Sequence, residues 1–264
     1  MVSLEDQGQT QLHDDLVAML TVTGAAEHDL FAMLQPDMRD LPGQIGEWSA
    51  KDVLGHLAAW RSIEARRLTS REGAADPGID AESMPGDGET GDDDPADDEP
   101  IDDTNARLHA ERDAWSWEQV AAAADESIEA LAAAIRATPA AALQSSSQLV
   151  AGIGANGANH ALGHLSDVAS LAGGDRRFRA LAAEIEAILV RGEIPEDGAG
   201  TMLYNIACHD AMTGRLDDAR RRLRDAFRLR PDLVAWAEQD SDVAALQGEL
   251  RELAAAGAVT RRED

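Results

Sequence analysis

Leu16, Leu20, Thr23, Leu30 and Leu34 recur at spacings that place them on one face of a helix, and Pro36 ends the pattern. This predicts a first helix over residues 9–34. The turn-rich stretch Leu41-Pro42-Gly43-Gln44-Ile45-Gly46 follows. Val53, Leu54, Leu57, Trp60 and Ile63 form the apolar face of a second helix over 49–70. Ser49 and Asp52 open it with the spacing of a capping box, Asp standing where Glu is usual. Trp117, Val120, Ala124, Ile128, Leu131 and Ile135 predict a third helix over 104–138, closed by Pro139. The triplet Ser145-Ser146-Ser147 reads as a loop, and a fourth helix is expected over 156–172, closed by Gly173-Gly174. Four amphipathic helices with one long crossover between the second and third describe an all-α bundle occupying residues 1–174.

Beyond Asp175 the pattern changes. A helix is expected over 178–190 and a linker over 192–200. A helical pair follows over 201–213 and 216–229, turned at Gly214 and stopped by Pro231. Tyr204, Gly214, Leu216, Ala219, Ala226 and Pro231 fall at offsets that resemble one tetratricopeptide unit, about 201–231, inside a tail spanning 175–264. Short helices over 232–257 complete that tail. One such unit cannot bury its apolar face alone. It must dock on the bundle, on the last helices, or on another chain, which leaves a homodimer or a protein partner through the tail as open readings.

Composition supports the helical reading: aromatic residues make up 3% of the chain and no alternating strand pattern occurs. The formal charge of −27 changes the picture of partners. Residues 72–103 carry 14 acids and no Lys or Arg, and 73–103 reads by composition as an acidic, flexible loop. It lacks the ligand spacing of an EF-hand. No general basic surface exists to neutralise phosphates, so nucleic acid and anionic membranes are not expected partners. Lysine occurs once, at Lys51, and Asp outnumbers Glu 30 to 20. That bias suits either a high-salt habitat or a GC-rich genome. The single cysteine, Cys208, cannot form an internal disulfide. With no secretory leader pattern and no apolar run of membrane length, a cytoplasmic location is expected.

The candidate chemistry lies in the seven histidines. His160 and His164 stand four apart, so both imidazoles lie on one helix face and can reach one ion. Alone, such a pair is more often core packing than a metal site. His56 sits on the apolar face of the second helix in Trp48-Ser49-Ala50-Lys51-Asp52-Val53-Leu54-Gly55-His56-Leu57-Ala58-Ala59-Trp60, where a lone histidine is more often a satisfied core residue. Metal-bound imidazoles usually pass their second ring N–H to an acceptor. Asp52, Asn156 and Asp167 each lie about one turn from a candidate ligand and are the candidates for that role. Asp52 reads equally as a helix cap and Asp167 as a solvated position. His13 and His109 sit among polar residues and are expected to be exposed. Cys208 and His209 are adjacent, so on a helix they diverge and cannot form a dyad. Either Glu27 or His28 should face the bundle interior. The segment Gly152-Ile153-Gly154-Ala155-Asn156-Gly157 precedes a helix without following a strand, so it reads as a flexible lead rather than a phosphate loop.

The Trp48–Trp60 motif, taken with Ile101-Asp102-Asp103-Thr104-Asn105-Ala106-Arg107, Trp115-Ser116-Trp117-Glu118, and the run from Gly152 through Asn159-His160 to His164, resembles the DinB-like superfamily, most closely its ClbS/DfsB branch. The resemblance covers about residues 9–171 and implies a four-helix bundle. It also implies that His56 joins His160 and His164 in holding a divalent metal ion, with zinc, nickel, iron and manganese not distinguished. A long acidic loop and a tetratricopeptide-like tail depart from the basic family plan. Three protein ligands leave a coordination position for water or substrate. The resemblance further implies a hydrolase or a thiol transferase that detoxifies a reactive electrophilic small molecule, with a low-molecular-weight thiol as a candidate cosubstrate and a metal-bound water or thiolate as the nucleophile. The alternative is a ligand-binding or sequestering protein without turnover, whose tail mediates protein–protein interaction.

Overall fold

The computed structural model describes residues 4–70 and 100–260. Helix α1 (Leu4–Ala32) buries the expected face through Leu16, Leu20, Thr23 and Leu30, and Leu34 packs just beyond its end. A 3₁₀ turn (Pro36–Met38) and a bridged turn between Ile45 and Trp48 then lead to α2 (Ala50–Ser70), which starts where the Ser49–Asp52 spacing said it would. The Asp52 amide donates to Ser49 Oγ at 3.2 Å, and the Ser49 amide donates to Asp52 Oδ2 at 2.9 Å. The shorter carboxylate thus closes the reciprocal cap.

The crossover largely falls at 71–99, outside the described residues, so most of the acidic segment expected as a loop lies there. Its last residues, Ile101 to Asp103, instead open α3 (Ile101–Ala110). The single long third helix expected over 104–138 is in fact two elements, α3 and α4 (Trp117–Ala137). Ser116 causes the break. Its side chain accepts from the Gln119 amide at 3.3 Å while its own amide donates to Gln119 Oε1 at 2.8 Å. A full capping box starts a fresh helix there, and the apolar stripe counted from Trp117 belongs to α4 alone.

The serine triplet is likewise not a loop. Helix α5 (Ala140–Ser145) and helix α6 (Ser147–Gly154) meet at Ser146, which accepts from the Leu149 amide at 3.2 Å as an N-cap. Helix α6 runs through a π-helical turn, Ala155–Asn159, directly into α7 (His160–Ala172). The glycine-bearing stretch read as a flexible lead is therefore ordered helix. Gly152 serves close approach instead: a Cβ there would sit 3.2 Å from Glu64 Oε1. Gly173, at φ +66°, then ends α7 in the left-handed conformation that glycine adopts without strain.

Helix α8 (Asp175–Leu189) begins three residues earlier than expected, and α9 (Glu196–Met212) starts inside the stretch read as linker. Pro195 precedes α9, and Glu196 and Asp197 occupy its positive first turn. Gly200 is a packing residue, since a Cβ there would lie 2.6 Å from Arg230 Cγ. Gly214 (φ +78°) turns α9 into α10 (Leu216–Leu229), and α11 (Leu233–Ala237), a 3₁₀ turn (Ser241–Leu246) and α12 (Leu250–Thr260) follow.

Among the described residues the structure is all-helical, with one short extended bridge between Ile45 and Trp48. Helix α2 packs along α4, α1 packs against α4, α7 and α8, and α9 lies on α7. The core between them holds Leu20, Leu57, Leu131, Ile135, Leu162, Leu165 and Phe178, each almost wholly removed from water. Each such large side chain contributes roughly 1.5–3 kcal/mol of hydrophobic stabilisation. A second core, with Leu223, Phe227, Val243, Leu246 and Leu250, fills the space between α9, α10 and the last helices. No helix among the described residues is long and apolar enough to cross a membrane.

Candidate metal centre

His56 projects from α2, and His160 and His164 project from successive turns of α7. Because α2 and α7 pack together, the three rings meet. His56 Nε2 lies 2.8 Å from His160 Nε2, which lies 3.2 Å from His164 Nε2. Ligands at about 2.0–2.1 Å from one ion stand about 2.9–3.4 Å apart in octahedral or tetrahedral geometry. Three ring nitrogens aimed at one another at such spacings fit a common divalent ion. His56 is buried, whereas His160 and His164 keep some exposure, so the cluster has an open side.

Two tryptophans wall the cluster. The Trp48 ring stands edge-on to His56 at 4.6 Å and stacks parallel to His164 at 6.1 Å, while Trp60 lies 6.4 Å from both His56 and His160. The Trp60 indole donates to Asn105 Oδ1 on α3 at 3.1 Å, which fixes its ring. This apolar surround keeps the imidazoles neutral. Burial, aided by the neighbouring His164 and Arg112, lowers the pKa of His56 to about 3. Burial lowers that of His164 to about 4, and burial with the charges of His56, His164 and Arg61 lowers that of His160 well below its ordinary value. Neutral imidazole is the form that ligates metal.

These shifts set a pH dependence of stability. Below pH 6.5 the unfolded chain takes up protons that the folded cluster refuses until near pH 4 or lower. The stability is thus complete above pH 6.5 and is lost as the pH falls through the window toward 4, by up to about 1.4 kcal/mol per pH unit for each histidine. Urea midpoints of metal-free protein should therefore drop between pH 7 and pH 5, a range in which most carboxylates do not titrate. The drop should shrink in His56→Phe and His164→Phe. An unchanged slope in both variants would place the acid sensitivity elsewhere.

The residues expected to orient the ligands are placed differently. Asp52 Oδ2 accepts from the Ser49 amide and hydroxyl, and Oδ1 lies 3.2 Å from His109 Nε2, so this carboxylate serves as the cap and holds His109. Asn156 donates to Glu64 Oε2 at 3.2 Å. Asp167 is an exposed residue whose carboxyl is pushed up by partial burial and by Asp242, on the side of α7 facing the tail. His13 is only half-exposed and bonds Thr138 O at 2.7 Å. His28 faces solvent, while Glu27 is buried and pairs with the fully buried Arg61.

His109, read as a solvent-exposed histidine, lies on the rim of the cluster and stacks on Trp48 at 6.3 Å. Asn105, His109 and Arg112 share one face of α3 and the turn that follows it. That i, i+4, i+7 pattern was the signal available in the sequence.

Two further clusters involve the tail. Ser166 Oγ is 2.9 Å from His209 Nδ1, and His209 Nε2 is 3.2 Å from Asp175 Oδ1. These are the residue types of a hydrolase triad, but Ser166 and His209 are buried at 4% and 1% exposure, so no substrate reaches the hydroxyl. The chain of bonds ties α9 to α7 and α8. Cys208 points the other way, toward Asp240 and Asp242. Asp240 already accepts from Tyr204 OH at 2.7 Å and from the Asp242 amide at 2.8 Å. Burial and these carboxylates push the Cys208 thiol well up, so it stays protonated and is a poor ligand.

Comparison with protein-family models, with curated proteins and with solved structures gives no match to this chain.

Proposed function

We propose that this chain is a metal-dependent DinB-like four-helix bundle with a tetratricopeptide-like tail, acting as a hydrolase or thiol transferase on a reactive electrophilic small molecule in a reducing compartment. The observation that carries this reading is the convergence of three neutral imidazoles, from two helices, within a tryptophan-walled recess open on one side. His56, His160 and His164 would hold the ion, and Trp48 and Trp60 would exclude water from all but the open side. When bound, a divalent ion at such a site supplies a Lewis acid that lowers the pKa of a coordinated water or thiol. The helical hairpin of α9 and α10, turned at Gly214, supports the tail assignment.

The test is turnover of small electrophiles, an epoxide and an alkyl halide, by protein loaded with zinc, nickel, iron(II) or manganese(II). The expected result is consumption that needs both metal and the three histidines. A dependence on added thiol identifies a transferase, and independence from thiol identifies a hydrolase. Saturable binding of the electrophile without turnover would replace the enzyme by a sequestering protein.

A further inference from the structure

Beside His56 lies a narrow depression whose lining includes Trp48, Lys51, Asp52, Asn105, His109 and Arg112. Its polar lining is dominated by donors. Lys51, the one lysine of a chain with net charge −27, contributes its ammonium there, and Arg112 its guanidinium. Asn105 uses its carbonyl oxygen to accept from Trp60, which leaves its amide N–H₂ as the end with donors to offer. The carboxylate in the lining, Asp52, is occupied by the Ser49 amide and hydroxyl and by His109. Arg112 and His56 line the same depression.

The acids that neutralise the two cations stand outside the depression and are weak competitors. Lys51 Nζ is 3.2 Å from Asp40, which is 61% exposed, and Arg112 Nη1 is 3.5 Å from Glu111, which is 51% exposed. Exposed ion pairs are worth about 0–1 kcal/mol, so a ligand anion can displace them. The cations themselves are held in place: Lys51 donates to Trp115 O at 3.2 Å, and Arg112 donates to Leu108 O at 2.9 Å and stacks over Trp115.

We infer that this depression binds the anionic end, a carboxylate or phosphate, of a small molecule whose other end reaches the three-histidine centre, with Arg112 and Lys51 as the residues that select for negative charge. This inference rests on the metal reading for the second half of the ligand, and on the lining alone for the first.

The probes are three thiols of similar length: 3-mercaptopropionate (anionic), 2-mercaptoethanol (neutral) and cysteamine (cationic). Binding to the cobalt(II)-loaded protein is followed by the thiolate-to-metal absorption, and binding to metal-free protein by tryptophan fluorescence. The expected result is about tenfold tighter binding of 3-mercaptopropionate than of 2-mercaptoethanol, the size of one charge-assisted hydrogen bond. Cysteamine should bind weakest. The preference should vanish in Arg112→Gln, return in Arg112→Lys, and fall in Lys51→Met. Raising the salt from 20 mM to about 0.5 M should weaken it in the parent protein, a readout that needs no variant. Equal affinities for the three thiols overturn the inference, as does a preference that Arg112→Gln and Lys51→Met leave intact. If cobalt fails to bind but the metal-free protein still responds to 3-mercaptopropionate through Arg112, the metal reading falls and the anion site stands. If cobalt binds and no charge preference exists, the reverse holds, and failure of both signals removes both.

Discussion

His160→Ala should lower zinc affinity by more than 100-fold, measured by competition with a chromophoric chelator. The bound follows from a comparison: partners that merely orient a ligand are worth about 10–100-fold in affinity, and a ligand itself is worth more. His160 is the central member, its Nε2 within 2.8 Å of His56 Nε2 and 3.2 Å of His164 Nε2. Its removal leaves two nitrogens on different helices with nothing between them. His28→Ala is the control, because that side chain faces solvent on α1. Equal zinc affinity in the parent and in both variants would mean that the three rings are packing residues.

The second large effect is on stability. Arg61 is fully buried, and Glu27 is its partner, linking α1 to α2, with Nη1 donating to Oε1 at 2.9 Å and Nη2 to Oε2. Glu27→Ala strands the guanidinium in a medium of low dielectric and should cost about 3–5 kcal/mol in urea unfolding. The double variant Glu27→Leu/Arg61→Leu removes both charges and should recover most of that loss, because an apolar pair of similar volume is often as stable as a buried ion pair. A single variant within about 1 kcal/mol of the parent would show that water reaches Arg61 in solution.

The helices that bury one face were legible in the sequence. Leu16, Leu20, Thr23, Leu30 and Leu34 marked α1, and Ser49 with Asp52 marked the start of α2. The meeting of His56 with His160 and His164 was implied only by the family resemblance that the tryptophan-flanked motif carries, because spacing on a single helix explains only the His160–His164 pair. The errors share a cause. Ser116, Ser146 and Pro195 each start a helix, and in a single sequence a start looks the same as a loop. Gly152 and Gly200 read as flexibility and proved to be close approaches, which depend on Glu64 and Arg230, remote in sequence. His109 and Arg112 escaped notice for the same reason: their roles depend on Trp48, Asp52 and Trp115, and on the folding of α3 against α2.

Helix α9 gives Met202 and Ile206 to the core beneath the histidines, and Leu203, Ala207 and Ala211 to the core of the tail. One rod is thus the floor of one compartment and the ceiling of the next. Asn205, on the same helix, donates to Asn159 O and Oδ1 at 3.2 and 2.9 Å, on the residue just before His160. The tail is therefore no detachable appendage. A displacement of α9 at its far end would therefore pull, through Asn205, on the backbone that aims His160.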